Sequence, residues 1–384
     1  MRKHSPNSGA HVGKRSVGVQ EVANLAGVAI GTVDRALHGR KGISEATRKR
    51  ILKIADGAGY SPNLAARMLR VGRPNLRVAV CIPREPLAFY GQIRDGILEE
   101  ERRFEPLGVE VLYRPVERLG LGEAQRIKDI IAKDVQGLIL TPGDPARLKP
   151  LIDEAEQKNI RVICVASDAP TSARSSVVCA EPEVSGRLVA ELMSWLVPSG
   201  SQVAVVTGML RTEDHLKKTQ GFSHAFPSYC QGGKVVEVVE GHLDSDVTFQ
   251  KCLASLERFP FLAGFYVNVG LSIPVCYALN ARQLAGKVHL IGTDLSREMI
   301  PFLEKGTISA CIHQRPYVQG QYALRLIVDH ILAGRPIPSS HYLNPHIVVR
   351  SNLHLFREMR QQRDSEAAQT TTRFASWGHA AGML

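Results

Sequence analysis

The sequence predicts a small all-α domain followed by a larger α/β domain with parallel sheets in two lobes. Short helical segments separated by glycine turns fill roughly the first 70 residues. Buried strands then alternate with helices for nearly 280 residues, which is typical of parallel sheets covered on both faces. Charge divides the chain at the same point. Residues 1–75 contain fourteen Lys and Arg against four acidic residues, which is +10 of the chain's +11. This asymmetry indicates a polyanionic partner for the N-terminal part alone.

Composition excludes several protein classes. The chain has 384 residues, of which 44% are hydrophobic, enough for two or three domains. No apolar run reaches the length of about 18 residues that a membrane helix needs. The seven cysteines are scattered without a CxxC pair, which fits a reducing cytoplasm. Residues 1–16 are basic and lack the apolar core of a secretory signal, so we expect a disordered basic tail there, and a second disordered tail over residues 358–384.

The first domain, residues 17–61, has the pattern of a helix-turn-helix. A first helix is predicted over residues 20–26, followed by Gly27 at a tight turn, and a second helix over residues 30–37. Ser44 is a good N-cap for a third helix, which Gly59 ends. Most of the basic charge falls within this helical pattern, so the pattern favours a DNA-binding domain over a charged tail.

Residues 19–70 closely resemble the head of the lactose-repressor (LacI) family. The motifs come in order: a V-A-x-x-A-G-V turn, a T-V-x-R recognition helix, S-x-x-T-R opening the third helix, and G-Y-x-P-N before a hinge helix that ends in leucine. The resemblance implies a hinge helix and linker over residues 62–75, and a helix-turn-helix that binds double-stranded DNA.

The resemblance also implies which residues contact DNA. Ile30 and Gly31 fall where the family's recognition helix meets base edges, whereas Thr32 and Arg35 are expected at the phosphate backbone. Leu69 matches the family's wedge leucine, which enters the minor groove and kinks the duplex. The implied DNA-binding residues are Ala29, Ile30, Gly31, Thr32, Arg35, His38 and Leu69.

Two of these positions limit the direct readout of bases. Ile30 can contact a thymine methyl group but cannot form the paired hydrogen bonds that distinguish purines, and Gly31 offers no side chain. Ala29 stands where the family usually has serine, so the recognition helix lacks its common side-chain cap. At position 69 the alternative is the apolar face of a linker helix.

The second domain, residues 76–357, has the strand pattern of a two-lobed binding fold. Buried Val, Ile and Leu runs are predicted as strands at 76–82, 109–115, 135–142, 160–165 and 203–208, and in the later segments KVVEVVEG, FLAGFYVN and KVHLIGTD. Helices are predicted over residues 91–104, 124–133 and 148–158. In such folds a ligand binds at the carboxyl ends of the strands.

Residues 76–353 resemble the periplasmic sugar-binding fold, particularly ribose-binding proteins and the LacI-family cores related to them. FYGQIRDG matches the segment whose aromatic side chains stack on the sugar, and GFYVN, IGTD and ACIHQ each place a polar residue at a strand end. The resemblance implies a small sugar or polyol effector and a dimer contact on this domain. The implied effector-binding residues are Phe89, Tyr90, Asp168, Lys218, Asn268, Asp294 and Gln314.

Several positions depart from the ribose-binding pattern. Glu181-Pro182 replaces an Asp-Asn pair, and Leu87 stands where ribose binders have a polar contact. Arg211 and Lys217 lie near Lys218, which leaves open an acidic or phosphorylated sugar. Lys217 and Lys218 are, however, more simply explained as a solvated helix face.

Together these features predict a sequence-specific DNA-binding transcription regulator, expected to be a repressor and to act as a homodimer or higher oligomer on a pseudo-palindromic operator. The alternative is a sugar-binding receptor without a transcriptional role, which would require export. An enzyme is not favoured, because no dinucleotide-binding GxGxxG, Walker loop, HExxH or GxSxG motif is present. His215 and His224 are expected to be surface or core residues. No catalytic residue, metal or cofactor is predicted.

Overall fold

The computed structural model describes residues 19–37, 41–57 and 75–356. The chain divides into two compact units, the helical head grouped with Val328–Pro336, and the α/β domain over Leu76–Ile327 and from Ile337 onward, and each is described by itself. Predictions for His38, for the hinge helix with Leu69 and for both terminal tails fall outside the described residues. None of the helices in the described ranges combines the length and apolar character of a bilayer span.

In residues 19–37 and 41–57 of the head, three helices surround one apolar cluster. They are α1 Val19–Ala26, α2 Ile30–Leu37 and α3 Glu45–Gly57. Gly27 has a positive φ of 61°, which suits the tight turn after α1. Ser44 caps α3 as predicted, because its Oγ accepts a hydrogen bond from the Thr47 N–H at 3.1 Å. The cluster consists of Val22, Ala23, Ala26, Val33, Ala36, Ile51 and Ala55.

The α/β domain has two lobes, each built on a six-stranded sheet. The strands of the first lobe are β1 Leu76–Cys81, β2 Val109–Tyr113, β3 Gly137–Leu140, β4 Arg161–Val165, β5 Ser176–Ala180 and β11 His341–Leu343. The helices between its first strands are α4 Leu87–Phe104, α5 Glu123–Ile131 and α6 Pro145–Gln157. The four central strands β1, β3, β4 and β5 are buried almost end to end, since helices cover both faces of a parallel sheet, whereas the edge strands β2 and β11 are only partly buried.

The second lobe repeats the plan. Its strands are β6 Gln202–Thr207, β7 Lys234–Glu240, β8 Leu262–Val267, β9 His289–Thr293, β10 Ala310–His313 and β12 His346–Val348. Its helices are α7 Pro182–Leu196, α8 Glu213–Tyr229, α9 Ser245–Arg258, α10 Ser272–Ala281 and α11 Ile300–Lys305. The long helix α12 Pro316–Ala333 follows β10 but packs on the first lobe, where its Arg325 pairs with Glu100 of α4.

The strand orders explain where a ligand can bind. They are β11-β5-β4-β3-β1-β2 in the first lobe and β12-β10-β9-β8-β6-β7 in the second. In each lobe the order reverses next to the first strand, and such a reversal opens a crevice at the carboxyl ends of the strands. The prediction of parallel sheets needs one correction, because β12 pairs antiparallel with β10. A three-residue strand at the sheet edge can pair with its neighbour in antiparallel direction, because this pairing does not need the helical crossover connection that successive parallel strands require.

Three short links join the lobes. The first, at Glu181, lies between β5 and α7. The second, Gln314 and Arg315, lies between β10 and α12, and the third lies between β11 and β12 at residues 344–345. No link is longer than two residues by these bounds.

Glycines allow two pairs of helices to pack closely. A Cβ added at Gly186 on α7 would lie 2.2 Å from the Lys218 carbonyl oxygen, and one at Gly221 on α8 would lie 2.3 Å from the Glu183 carbonyl oxygen. A Cβ at Gly96 on α4 would lie 2.0 Å from the Tyr317 carbonyl oxygen on α12. Only glycine permits backbones to approach this closely. The α7–α8 crossing therefore fixes the helix that carries Lys218.

Candidate DNA-binding surface and effector cleft

The exposed face of α2 contains most of the predicted DNA contacts that the structure describes. Ile30 is 47% exposed, although it is a large apolar residue, and Gly31 and Arg35 are exposed beside it. Val33 on the opposite face is fully buried in the head. The helix thus separates a packing face from a surface that remains available for a DNA groove.

The start of α2 lacks a side-chain cap, as Ala29 predicts. The Ala29 carbonyl accepts hydrogen bonds from the Thr32 and Val33 N–H groups at 2.9 and 3.2 Å. Ala29 is exposed and Thr32 is half-buried. On the packing side, Arg50 of α3 donates to the Ala26 carbonyl at 2.9 Å, so this arginine holds the helices together.

A cleft of about 450 Å³ lies between the two lobes of the α/β domain. Its lining comes from segments that follow the carboxyl ends of strands in both lobes, as the strand order requires. The first lobe contributes Glu85, Pro86, Phe89, Tyr90, Arg118, Leu119, Thr141, Ala166 and Ser167. The second lobe contributes Thr212, Asp214, His215, Lys218, Leu243, Ser245, Asn268, Val269, Gly270, Leu271, Asp294 and Gln314.

A buried ion pair lies on this lining. Lys218 on α8 is only 1% exposed, and its Nζ donates to Asp214 Oδ2 at 2.8 Å, one helical turn earlier. Asp214 is itself buried, and its Oδ1 has no hydrogen-bond partner among the residues that the structure describes. A buried ammonium group needs such a partner, because burial without one would be very costly.

Asp294 follows β9 and is held by Gln314, which follows β10. The Gln314 amide donates to both carboxylate oxygens at 2.9 Å. Burial raises the pKa of Asp294 to about 6, although Lys218 and the Gln314 hydrogen bonds lower it in part. Asp294 has a positive φ of 63°, a conformation that Asp tolerates better than most residues.

Asn268 follows β8 and leaves an acceptor free. Its Nδ2 donates to Thr219 Oγ1 at 2.9 Å and to the His215 carbonyl at 3.3 Å. Asn268 Oδ1 and Thr141 Oγ1, both on the cleft lining, are buried without a hydrogen-bond partner in the described part of the chain. Buried polar atoms are nearly always satisfied, so orphaned atoms on a cleft wall indicate a polar ligand.

His215 is neutral in this environment. Burial lowers its pKa to about 4, although Asp214 opposes the shift. His215 Nδ1 lies 3.1 Å from the Met209 backbone nitrogen and 3.2 Å from the Met209 carbonyl oxygen, so Met209 can partner this ring nitrogen in either neutral tautomer. The residue therefore adds a neutral polar group to the lining, whereas the exposed His224 lies elsewhere on α8.

The two aromatic residues at the start of α4 do not form one flat floor. The ring centroids of Phe89 and Tyr90 are 5.1 Å apart with their planes at 80° to each other. Both rings line the cleft and are almost fully buried. Burial raises the pKa of Tyr90 well above its usual value, so its hydroxyl is un-ionised. Because the rings are perpendicular, at most one of them can lie flat against a given ligand ring.

The structure brings six of the seven predicted effector residues together on this lining, and Asp168 is the exception. The Asp168 carboxylate instead pairs with Arg174 at 2.5 Å, and the Arg174 side chain also donates to the Ser339 carbonyl at 2.7 Å. Asp168 lines a smaller recess of about 150 Å³. A local pairing within one loop thus occupies its carboxylate.

The interpretation of Lys218 as a solvated residue is wrong, because Asp214 stabilises its charge in the buried wall. Lys217 is half-buried and lines the smaller recess, and Arg211 is exposed and lies outside the cleft lining. Leu87 is 59% exposed and also lies outside the lining.

Sequence reasoning did not identify Asp214 as a site residue. The available signal was the spacing of four residues between Asp214 and Lys218, which places both side chains on one face of a helix. Thr141, Ser167 and His215 also line the cleft and were not predicted. In the described part of the chain, no group of three or more His, Cys, Asp or Glu residues is arranged to hold a metal ion.

Comparison with known proteins agrees with this architecture. The family model described as "Periplasmic binding protein domain" matches residues 78–336, and "Bacterial regulatory proteins, lacI family" matches residues 19–63. The chain is 24% identical over 321 residues to catabolite control protein A of Priestia megaterium, covering 82% of this chain and 93% of that protein. It is 22% identical over 344 residues to the transcriptional repressor PurR of Vibrio parahaemolyticus, covering 87% and 98%.

Among solved structures, the fold is similar to GanP, a glucose-galactose binding protein from Geobacillus stearothermophilus. The TM-score is 0.68 at 27% identity, and the match covers 73% of this chain and 99% of that chain. The α/β domain thus matches binding proteins, whereas the two regulators match more than 80% of the chain, including the head. The chain therefore belongs to the periplasmic binding protein domain family and, with its LacI-family head, is a DNA-binding transcription regulator.

Proposed function

We propose that the protein is a repressor whose affinity for double-stranded DNA is controlled by a sugar or polyol bound in the cleft between the two lobes. The observation that carries this proposal is the set of hydroxyl-matching groups on the cleft lining. The Asp294 carboxylate and the orphaned oxygens of Asp214 and Asn268 accept hydrogen bonds, and the Lys218 ammonium group donates them. A sugar hydroxyl both donates and accepts, so this mixture matches its rim.

The aromatic residues match another part of a sugar. One face of a sugar ring consists of C–H groups, which pack well against an aromatic face. Phe89 and Tyr90 line the cleft across from the polar groups of the second lobe. The name of GanP as a glucose-galactose binding protein supports the same class of ligand.

The ligand can influence DNA binding only if it prefers one arrangement of the lobes. Direct contacts join the lobes beside the cleft. Thr212 Oγ1 of the second lobe donates to the Gly143 carbonyl of the first lobe at 2.7 Å. The Asp214 N–H lies 3.5 Å from Ser167 Oγ of the first lobe. A ligand that touches both lobes stabilises the arrangement in which these contacts form.

At the DNA, we propose that α2 enters the major groove. Ile30 and Gly31 would face base edges, and Ala29, Thr32 and Arg35 would lie at the groove edge and backbone. His38 and Leu69 stay predictions, at the end of the recognition helix and in the minor groove. One short helix covers few bases, so we propose a homodimer or higher oligomer on a pseudo-palindromic operator. Acting on chromosomal DNA implies a cytoplasmic location.

The experiment has two parts. Genomic fragments retained by the purified protein are sequenced to find an operator, and sugars and polyols are screened by thermal shift. A ligand that raises the melting temperature should change operator affinity, as measured by fluorescence anisotropy. Sedimentation at micromolar concentration gives the oligomeric state. Failure to prefer any genomic fragment over random DNA would favour the alternative, a sugar-binding receptor without a transcriptional role.

A further inference from the structure

The charge balance of the cleft restricts the kind of effector that it can accept. Two carboxylates, the buried Asp214 and the half-buried Asp294, line the second-lobe wall with one buried ammonium group, Lys218. Among the described lining residues, Arg118 is the other side chain with a permanent positive charge, and it is exposed and shares the lining with the carboxylate of Glu85. The buried part of the wall therefore offers no cation that is free of a carboxylate.

An anionic ligand would be poorly stabilised here. A phosphate or carboxylate group that approached Lys218 would have to replace Asp214 or lie beside it. The first arrangement leaves the Asp214 carboxylate buried without its partner, and the second brings like charges together at low dielectric. Arg118 cannot compensate for this at the buried wall, since its charge is exposed and screened by solvent.

An uncharged hydroxyl group meets none of these costs. Lys218 has three N–H donors, and its hydrogen bond to Asp214 uses one of them. None of the described residues forms a hydrogen bond with Asp214 Oδ1. A hydroxyl near the pair can accept from the Lys218 ammonium group and donate to the Asp214 carboxylate, leaving the ion pair intact.

We infer that the effector is an uncharged polyhydroxy compound and that the Asp214–Lys218 pair excludes phosphorylated sugars and sugar acids from the cleft. This inference rests on the proposed function and narrows it. It identifies Asp214 as a residue that determines specificity, through both its free oxygen and its neutralisation of Lys218.

The first test uses the wild-type protein. Isothermal titration compares uncharged D-glucose, D-galactose, D-ribose, D-arabinose and D-allose with their terminal phosphates and with gluconate. We expect the phosphate of any sugar that binds to bind at least about 100-fold more weakly than the sugar itself, since its charge meets a buried carboxylate. A phosphate or acid that binds as tightly as its uncharged parent would overturn the inference.

The second test changes the pair. Asp214→Asn leaves Lys218 without its adjacent carboxylate, so inorganic phosphate should raise the melting temperature of this variant but not that of the wild type. In the double variant Asp214→Asn/Lys218→Met, phosphate should no longer raise the melting temperature, because the cation is absent. Lys217→Met is the matched control, since Lys217 lies outside the cleft lining, and it should respond like the wild type.

The variants also reveal which cation binds phosphate. If phosphate stabilises the wild type, and Arg118→Met abolishes the effect, then Arg118 grips anions and the inference is wrong. If no sugar of any charge binds, but phosphate stabilises only Asp214→Asn, then the exclusion of anions holds and the proposed sugar effector fails. The wild-type titration remains decisive if Asp214→Asn does not fold.

Discussion

Gln314 donates its side-chain amide to both carboxylate oxygens of Asp294, at 2.9 Å each. The two residues follow neighbouring strands, β10 and β9, and both are part of the cleft lining. The hydrogen bonds fix the orientation of the carboxylate, and burial keeps water from competing for it. Asp294 is therefore a pre-organised acceptor, and its ionisation is the first property that we expect to control effector binding.

Effector affinity should fall in acid through Asp294. Burial raises the pKa of this carboxyl to about 6, so protonation below that pH removes the ionised acceptor and weakens binding by up to about tenfold per pH unit. His215 does not contribute above pH 5, because its pKa is lowered to about 4. Titration calorimetry from pH 5 to pH 8, with the sugar that the screen identifies, measures the effect.

The control for this prediction is Asp294→Asn, which keeps the shape but cannot ionise. It should bind weakly and without the step near pH 6. In the ligand-free protein the sign is reversed. A raised carboxyl pKa means that the folded state holds the proton more tightly, so stability falls as pH rises from about 4 to about 6, relative to the variant. A step that persists in Asp294→Asn would assign it to another group.

The α7–α8 crossing should not tolerate a methyl group. In Gly186→Ala the new Cβ would lie 2.2 Å from the Lys218 carbonyl oxygen, and backbone cannot rotate away as a side chain can. We expect a loss of about 1–3 kcal/mol in the unfolding free energy of the α/β domain, together with weaker effector binding because Lys218 moves.

The matched control is Gly91→Ala on α4. Its Cβ would meet only the Leu87 side chain, at 3.0 Å, and that side chain is largely exposed and can move. Urea unfolding should give a midpoint near that of the wild type for Gly91→Ala and a clearly lower one for Gly186→Ala. Equal midpoints would show that α7 and α8 can move apart with no loss in the unfolding free energy.

Arg35→Ala should weaken DNA binding on all sequences to a similar extent. Arg35 is exposed on α2, where we expect it at the phosphate backbone, and a phosphate contact carries no sequence information. Losing one such contact should reduce the slope of log affinity against log salt by about 1. Anisotropy titrations at several salt concentrations measure this slope. Arg147→Ala, an exposed arginine of the α/β domain, should leave it unchanged. Selective loss on the operator alone would instead make Arg35 a base-reading residue.

Leu69→Ala should weaken operator binding more than random-DNA binding. A wedge leucine kinks the duplex, so its loss removes the energy gained from deformation while the phosphate contacts remain. Leu25→Ala, which removes an exposed leucine from α1 of the head, serves as the control. Fluorescence anisotropy with operator and with random DNA gives the ratio of variant to wild-type affinity for each DNA. If operator and random DNA lose affinity equally in Leu69→Ala, the residue only packs.

Local sequence patterns were sufficient to predict most of the fold. Strands such as β1 and β4 are continuous apolar runs that helices cover on both sides, and Ser44 caps α3 where the sequence places it. The sequence did not predict β11 and β12 or their directions. Strands of three residues are too short to show a hydrophobic pattern. Their pairing depends on which strand of the rest of the sheet has an unpaired edge.

The same limit applies to the site. Asn268, Asp294 and Gln314 could be placed at the cleft because each follows a strand, and parallel strands end at one edge. The ion pairs could not be predicted with the same certainty. Whether a carboxylate faces a ligand or an arginine depends on loop geometry, as Asp168 and Arg174 show. Burial of a lysine likewise depends on packing between helices, which the pattern of α8 alone does not reveal.

The three links between the lobes have a mechanical consequence. Each is at most two residues long, and consecutive Cα atoms are only about 3.8 Å apart, so the lobes cannot slide past one another by more than a few ångströms. The relative motion that these links still allow is a rotation of one lobe against the other about a shared hinge axis. Gln314 lies in one of these links and hydrogen-bonds to Asp294 through its side chain. A ligand bound to that carboxylate therefore acts close to the hinge axis. A small rotation about this axis therefore becomes a larger displacement at the far rim of each lobe.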